Sequence, residues 1–222
     1  MLGHIAKRPL AEEKNRVDEV DEYWEPAESV TAELKIKRSR FVGHSALCKN
    51  GEDVRAFLGL VEAEHRNATH NCWAYCLSDP ETENCSDDGE PSGTAGKPIL
   101  CVIRQSGMVN LMVVVTRYFG GIKLGVRGLI EAYGQAAGDV LAKTKRVLRI
   151  RSRRLVICLP YCIIGDIIRL LEIYGTSDVP LWKYGAEVEV VAEIKLSSVS
   201  QVTVVLHELQ ARSLVFSWSW FS

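Results

Sequence analysis

Two hydrophobic periodicities organise this chain. Ser29–Ile36 and Arg40–Cys48 alternate apolar and polar positions around Lys37-Arg38-Ser39, which predicts a pair of strands. After the break at Asn50-Gly51, Val54, Phe57, Leu58, Val61 and Ala63 fall at near-helical spacing and predict a helix ending near His65. Cys72–Leu77 reads as a short apolar strand, and Pro98–Arg104 and Val109–Thr116 as a hairpin turning at Gln105-Ser106-Gly107. A helix over Gly128–Ala142 follows, its inner face Leu129, Tyr133, Ala136, Ala137, Val140 and Leu141. From Val147 the pattern restarts. A strand to Leu159, a strongly apolar helix from Ile163 to Tyr174, strands at Ser177–Leu181 and Glu187–Lys195, a helix capped by Ser198 and a last strand at Leu214–Trp220 make βαββαβ. That order is the ferredoxin-like one. The expected organisation is α+β: a flexible leader over residues 1–28, a first domain over 29–145 and a ferredoxin-like domain over 146–222.

Two segments stand outside these periodicities. Ser78–Lys97 carries six acidic residues, two prolines and three glycines with no apolar repeat, and reads as a long loop of the kind more often functional than filler. Thr116–Leu129 places four glycines and three cations between a strand and a helix start. Glycine permits close backbone approach or positive φ. The free N–H groups and dipole of a helix N-terminus favour an anion. The spacing is neither a P-loop nor a dinucleotide fingerprint. A tight packing turn and an anion-binding turn both fit it.

Charge sharpens the second reading. Net charge is −1, yet Arg117–Arg154 carries 10 basic residues against 2 acidic ones. Seven of the cations lie between Lys143 and Arg154, where Arg149, Arg151 and Arg153 would share one face of a strand and could track phosphates. Seven cysteines without a secretory leader point to a cytoplasmic chain with reduced thiols. His70-x-Cys72-x3-Cys76 and Cys158-x3-Cys162 lie among apolar residues and lack knuckle spacing, so no metal site is assigned to them. No apolar run is long enough to span a membrane.

Asp87-Asp88-Gly89-Glu90-Pro91-Ser92-Gly93-Thr94-Ala95-Gly96-Lys97-Pro98 and Val113-Val114-Val115-Thr116-Arg117-Tyr118-Phe119-Gly120-Gly121-Ile122-Lys123-Leu124-Gly125 together resemble the paired signature of the YigZ/IMPACT family. Lys37–Gly43, Ala68–Tyr75 and, in the last domain, Tyr161, Gly165, Leu170–Gly175 and Tyr184-Gly185 extend the resemblance over about residues 29–220. The resemblance implies a first domain like the second domain of ribosomal protein S5, and a second like the ferredoxin-like domains of elongation factors. It implies no enzymatic activity, and it links the eukaryotic branch to control of translation under amino-acid starvation. The chain resembles the bacterial architecture, without an RWD domain. One departure lies in the glycine-rich segment. The bacterial pattern runs Leu-Gly-x-Gly-Gly-Leu-x-Arg-Ala-Tyr; here Arg127 stands for the first of the paired glycines and Glu131 for the arginine. Four residues apart on a helix, the two are spaced to pair.

Three functions follow as expectations. The first is a translation-associated protein that binds RNA or the ribosome through Arg117, Tyr118, Gly120, Gly121, Lys123, Arg127, Arg149, Arg151 and Arg153. The second is a module that docks a translation-regulatory protein. The third is a phosphate-dependent enzyme in which Asp87, Asp88 and Glu90 hold Mg²⁺, with Ser92, Thr94 and His70 nearby. Against the third stands the reading that these acids cap the glycine turns and pair with Arg117 or Lys123. No catalytic residue and no other cofactor is assigned.

Overall fold

The structure, a computed structural model, describes residues 21–221. Two compact units divide at Leu148/Arg149, with Asp21 and Glu22 belonging to the second. Both are α+β.

In the first unit, β2 (Val30–Ile36), β3 (Ser39–Leu47), β4 (His70–Ser78), β5 (Glu81–Ser86) and β6 (Leu111–Tyr118) form one sheet in the order β2-β3-β6-β4-β5. Every neighbouring pair is antiparallel. Helix α1 (Gly51–Glu64) covers one face; α2 (Gly96–Ser106) and α3 (Gly125–Lys143) cover the other. The central strand β6 shows why its sequence is a near-continuous apolar run. Leu111, Val113 and Val115 pack toward α2 and α3, while Met112 and Val114 pack toward α1. A strand buried on both faces has no polar side to alternate with. Gly43 on β3 lets α3 approach closely: a Cβ there would sit 2.9 Å from the Ala136 carbonyl oxygen. This is the layered S5 domain 2-like arrangement that the resemblance implied.

The structure departs from the sequence reading in three places here. Pro98–Arg104 is not a strand but most of α2, with Ile99, Leu100 and Ile103 buried and Gly107 closing the helix at φ 67°. Proline is tolerated in a first turn, where its missing N–H is not needed. The acidic loop is half as long as expected, because Glu81–Ser86 pairs with β4 as the edge strand β5. The end of the expected leader is a strand: β1 (Glu22–Pro26) forms a two-stranded sheet with β7 (Arg146–Ile150). Trp24 anchors it, its carbonyl accepting from Val109 N and its ring lying 4.5 Å from the Arg146 guanidinium. The rest of the expected leader, residues 1–20, lies outside the described residues.

The second unit is β8 (Ser152–Leu159), α4 (Ile164–Tyr174), β9 (Leu181–Tyr184), β10 (Val188–Lys195), α5 (Val199–Ala211) and β11 (Ser217–Phe221). Its antiparallel sheet runs β11-β8-β10-β9, the ferredoxin-like order. Leu155, Ile157, Leu159, Val188, Val190 and Ile194 alternate inward against Ile167, Leu170, Leu171, Val202 and Leu206 of the helices. The strand expected at Ser177–Leu181 forms instead at Leu181–Tyr184, opposite Val188–Val191. Ser198 precedes α5, but its side chain makes no capping hydrogen bond.

Candidate functional site

The acidic signature turns inward on itself. Asp87 Oδ1 accepts from Ala95 N and Gly96 N, both at 2.9 Å, and Oδ2 from Gly93 N at 2.8 Å. Burial alone would raise its pKa, but these three N–H donors, with Lys97 nearby, hold it below the ordinary carboxylate range. Gly96 has to be glycine, because a Cβ would sit 2.9 Å from the Ser86 main chain. Asp88 adopts φ 39° and accepts from Asn71 N at 2.6 Å, while its carbonyl takes the His70 Nδ1 proton at 2.6 Å. Thr94 is buried and donates to the Pro91 carbonyl at 2.6 Å; Ser92 is exposed.

Glu90 joins this loop to the glycine-rich segment. Its Oε1 accepts from Arg117 Nη1 at 2.5 Å and from the Tyr133 hydroxyl at 2.9 Å. All three side chains are buried. Burial first, then the nearby Cys72 and Glu90, pushes the Tyr133 hydroxyl far up, so it stays a donor. The Arg117 guanidinium lies 5.5 Å from the Phe41 ring and 5.4 Å from the Phe119 ring. Its Nε is buried without a hydrogen-bond partner. The two signature motifs are therefore one buried ion pair deep, and the charge of Arg117 faces Glu90 rather than solvent. The carboxylates of Asp87, Asp88 and Glu90 are each committed to these donors. Among the described residues, no group of three or more His, Cys, Asp or Glu side chains is placed to hold a metal ion.

Beyond Arg117 the glycine-rich segment reaches the surface. Phe119, Gly121, Ile122, Lys123, Val126 and Arg127 are exposed, and Tyr118 is half-buried. Gly120 locks the segment onto the β2–β3 turn: a Cβ there would lie 2.0 Å from the Arg38 carbonyl oxygen, and Gly120 N donates to Ser39 Oγ at 3.2 Å. Gly121 at φ 84° and Gly125 at φ 75° complete the turn into α3. The β2–β3 turn is itself unusual. Lys37 and Arg38 both have positive φ, 45° and 70°. Two-residue hairpin turns of this kind normally use Asn-Gly, because L side chains are strained there. Among the described residues, Lys37, Arg38 and Lys123 have no carboxylate partner, whereas Arg40 pairs with Glu33 at 2.9 Å and stacks on Tyr118. Arg127 pairs with Glu131 at 3.0 Å, as their spacing predicted.

Sequence reasoning missed two features. His44, His65 and Tyr118 form a hydrogen-bonded chain in which both histidines are buried: His65 Nε2 meets His44 Nε2 at 2.9 Å, His65 Nδ1 meets the Tyr118 hydroxyl at 2.9 Å, and His44 Nδ1 meets Thr31 Oγ1 at 3.2 Å. Burial first, then the neighbouring His65, lowers His44 to about 4. The other is the Lys37-Arg38 strain, which positive φ reveals and no periodicity can.

The arginine row expected on one strand is divided. β7 ends at Ile150 and β8 starts at Ser152, with Arg151 between them. Arg149 therefore lies on a different strand from Arg153, whose guanidinium sits 5.6 Å from the Trp220 ring. Arg154, on the opposite face of β8, pairs with Glu193 at 2.9 Å.

Within the first unit, the family model of the Impact N-terminal domain matches residues 37–141. The chain belongs to the IMPACT family. An IMPACT family member of Thermus thermophilus is 38% identical over 139 residues, covering 62% of this chain and 74% of that protein. YigZ of Escherichia coli is 44% identical over 119 residues, covering 52% of this chain and 58% of YigZ. The chain thus spans little more than half the length of that relative. A crystal structure described as that of a hypothetical protein is 30% identical with a TM-score of 0.62, covering 91% of this chain and 97% of the other.

Proposed function

We propose that this chain is a translation-associated protein that binds RNA, on or off the ribosome, through the Lys37–Arg40 turn and the Phe119–Arg127 loop. The observation that carries the reading is the positive φ of Lys37 and Arg38. Backbone strain of this kind persists where the surroundings enforce it and the side chains are needed. Gly120, next in the chain to the exposed Phe119, packs against this turn, and Lys37, Arg38 and Lys123 have no carboxylate partner among the described residues. Cations on a phosphate backbone with an aromatic for stacking are the two parts of sequence-tolerant RNA contact. Translation enters through the family resemblance. Arg117 supports the surface from below, with Glu90 as its partner.

The test is co-sedimentation with ribosomes and anisotropy titration of a structured ribosomal RNA fragment across ionic strength. Backbone-dominated binding loses affinity steeply between low and moderate salt. Lys123→Glu should weaken it further. Affinity that is flat with salt, or ribosome association that survives nuclease treatment, would replace RNA with a docked protein as the partner.

A further inference from the structure

The second unit carries a surface that the RNA reading does not use. β9 is the edge of its sheet, hydrogen-bonded to β10 alone, and spans four residues. The chain leading into it and along it exposes large apolar side chains: Val179 is 86% exposed, Leu181 68% and Tyr184 65%. Proteins ordinarily blunt such edges with shortness, charge, proline or a covering element; here Pro180 stands just before a short strand, and its apolar side chains are left exposed. Here the only cation on the strand, Lys183, is held by Glu189 at 2.7 Å. Beside the strand, between α4 and β9, lies a cleft of about 350 Å³. Ile168, Leu171 and Trp182 wall it, and Glu172 and Asp178 also line it. Neither Glu172 nor Asp178 has a cationic partner among the described residues. Glu193, which also lines the cleft, has its carboxylate engaged by Arg154 and Ser152.

We propose that the β9 edge and this cleft bind a short extended segment of another protein, one that carries a lysine or arginine. Strand addition would satisfy the free main-chain groups of β9, giving affinity, while one alternate side chain enters the cleft and gives specificity. The cleft chemistry selects that side chain. An indole face and aliphatic walls accommodate a lysine or arginine stem, and the two carboxylates meet its charged end. A second copy of this chain is the poorer occupant, because it would bring the same two carboxylates, Glu172 and Asp178, to the same edge.

Full-length protein labelled with 15N would be titrated with a blocked heptapeptide, Thr-Val-Lys-Leu-Lys-Val-Thr, and with its counterpart bearing glutamate for lysine. The expected result is saturable amide shifts confined to Leu181–Tyr184 and the cleft, with the glutamate peptide binding more weakly by about threefold or more. Glu172→Lys with Asp178→Lys should abolish the preference for lysine while leaving the rest of the amide spectrum unchanged. Equal binding of both peptides would overturn the proposal. So would the absence of shifts at millimolar peptide, or β9 shifts that follow protein concentration without peptide, which would assign the edge to self-association.

Discussion

Replacing Lys37-Arg38 with Asn-Gly separates what the β2–β3 turn does for the fold from what it does for a ligand. Both residues sit at positive φ, where an ordinary L side chain costs about 1–2 kcal/mol. Glycine at position 38 removes that cost, and asparagine at 37 reduces it. Against this, glycine in the unfolded chain is freer, which returns roughly 0.5–1 kcal/mol. Among the described residues, neither side chain makes an ion pair to lose. The first unit should therefore gain about 1 kcal/mol, read as a higher urea midpoint with an unchanged slope. RNA affinity should fall at the same time. Each lost phosphate contact on single-stranded RNA should flatten the log–log salt dependence by about 0.7. A more stable protein that binds less is the signature of strain kept for contact. A variant that binds as the parent does, at any stability, refutes the reasoning.

Three further outcomes follow from the same site. Glu90→Ala leaves the Arg117 guanidinium buried and unpaired, so it should cost about 3–5 kcal/mol in chemical denaturation, and Glu90→Leu with Arg117→Met should recover most of it. His44 is lowered from 6.5 to about 4 in the fold, so between those values the unfolded chain binds more protons. Stability should then be fully present above about pH 6.5 and fall as pH drops toward 4; a urea midpoint that is flat across this window, or equally steep in His44→Gln, would contradict it. Gly120→Ala would drive a methyl into the Arg38 carbonyl and should cost roughly 3 kcal/mol or more, together with RNA affinity, measured on the same preparation.

Much of the fold was readable because its periodicities are strong. Alternation in Ser29–Cys48 and in Glu187–Lys195 became β2, β3 and β10, and the βαββαβ order became the ferredoxin-like sheet. The failures have physical causes. Pro98–Ile103 is a short apolar run, and at that length periodicity does not separate a strand from a buried helix turn. Glu81–Asn84 is exposed on an edge strand, so it offers no apolar repeat to detect. In the site, the Arg127–Glu131 pair was legible because both residues lie on one helix. His44 and His65 are brought together only by the packing of α1 on the sheet, and their sequence separation carries no signal. The partnership of Glu90 with Arg117 was one of two readings of the acidic loop, and the structure holds that pair buried.

The contact of Gly120 with the Arg38 carbonyl also limits how this protein can vary in length. Main chain meets main chain there, between segments about eighty positions apart, with no side chain to bend out of the way. One inserted residue in either turn would shift the register of the whole contact, and no compensating substitution in the other could restore it. Length changes in related chains should therefore collect at solvent-facing connections such as the Asp79-Pro80 tip between β4 and β5. The β2–β3 turn and the loop into α3 should keep their spacing even where their residues change.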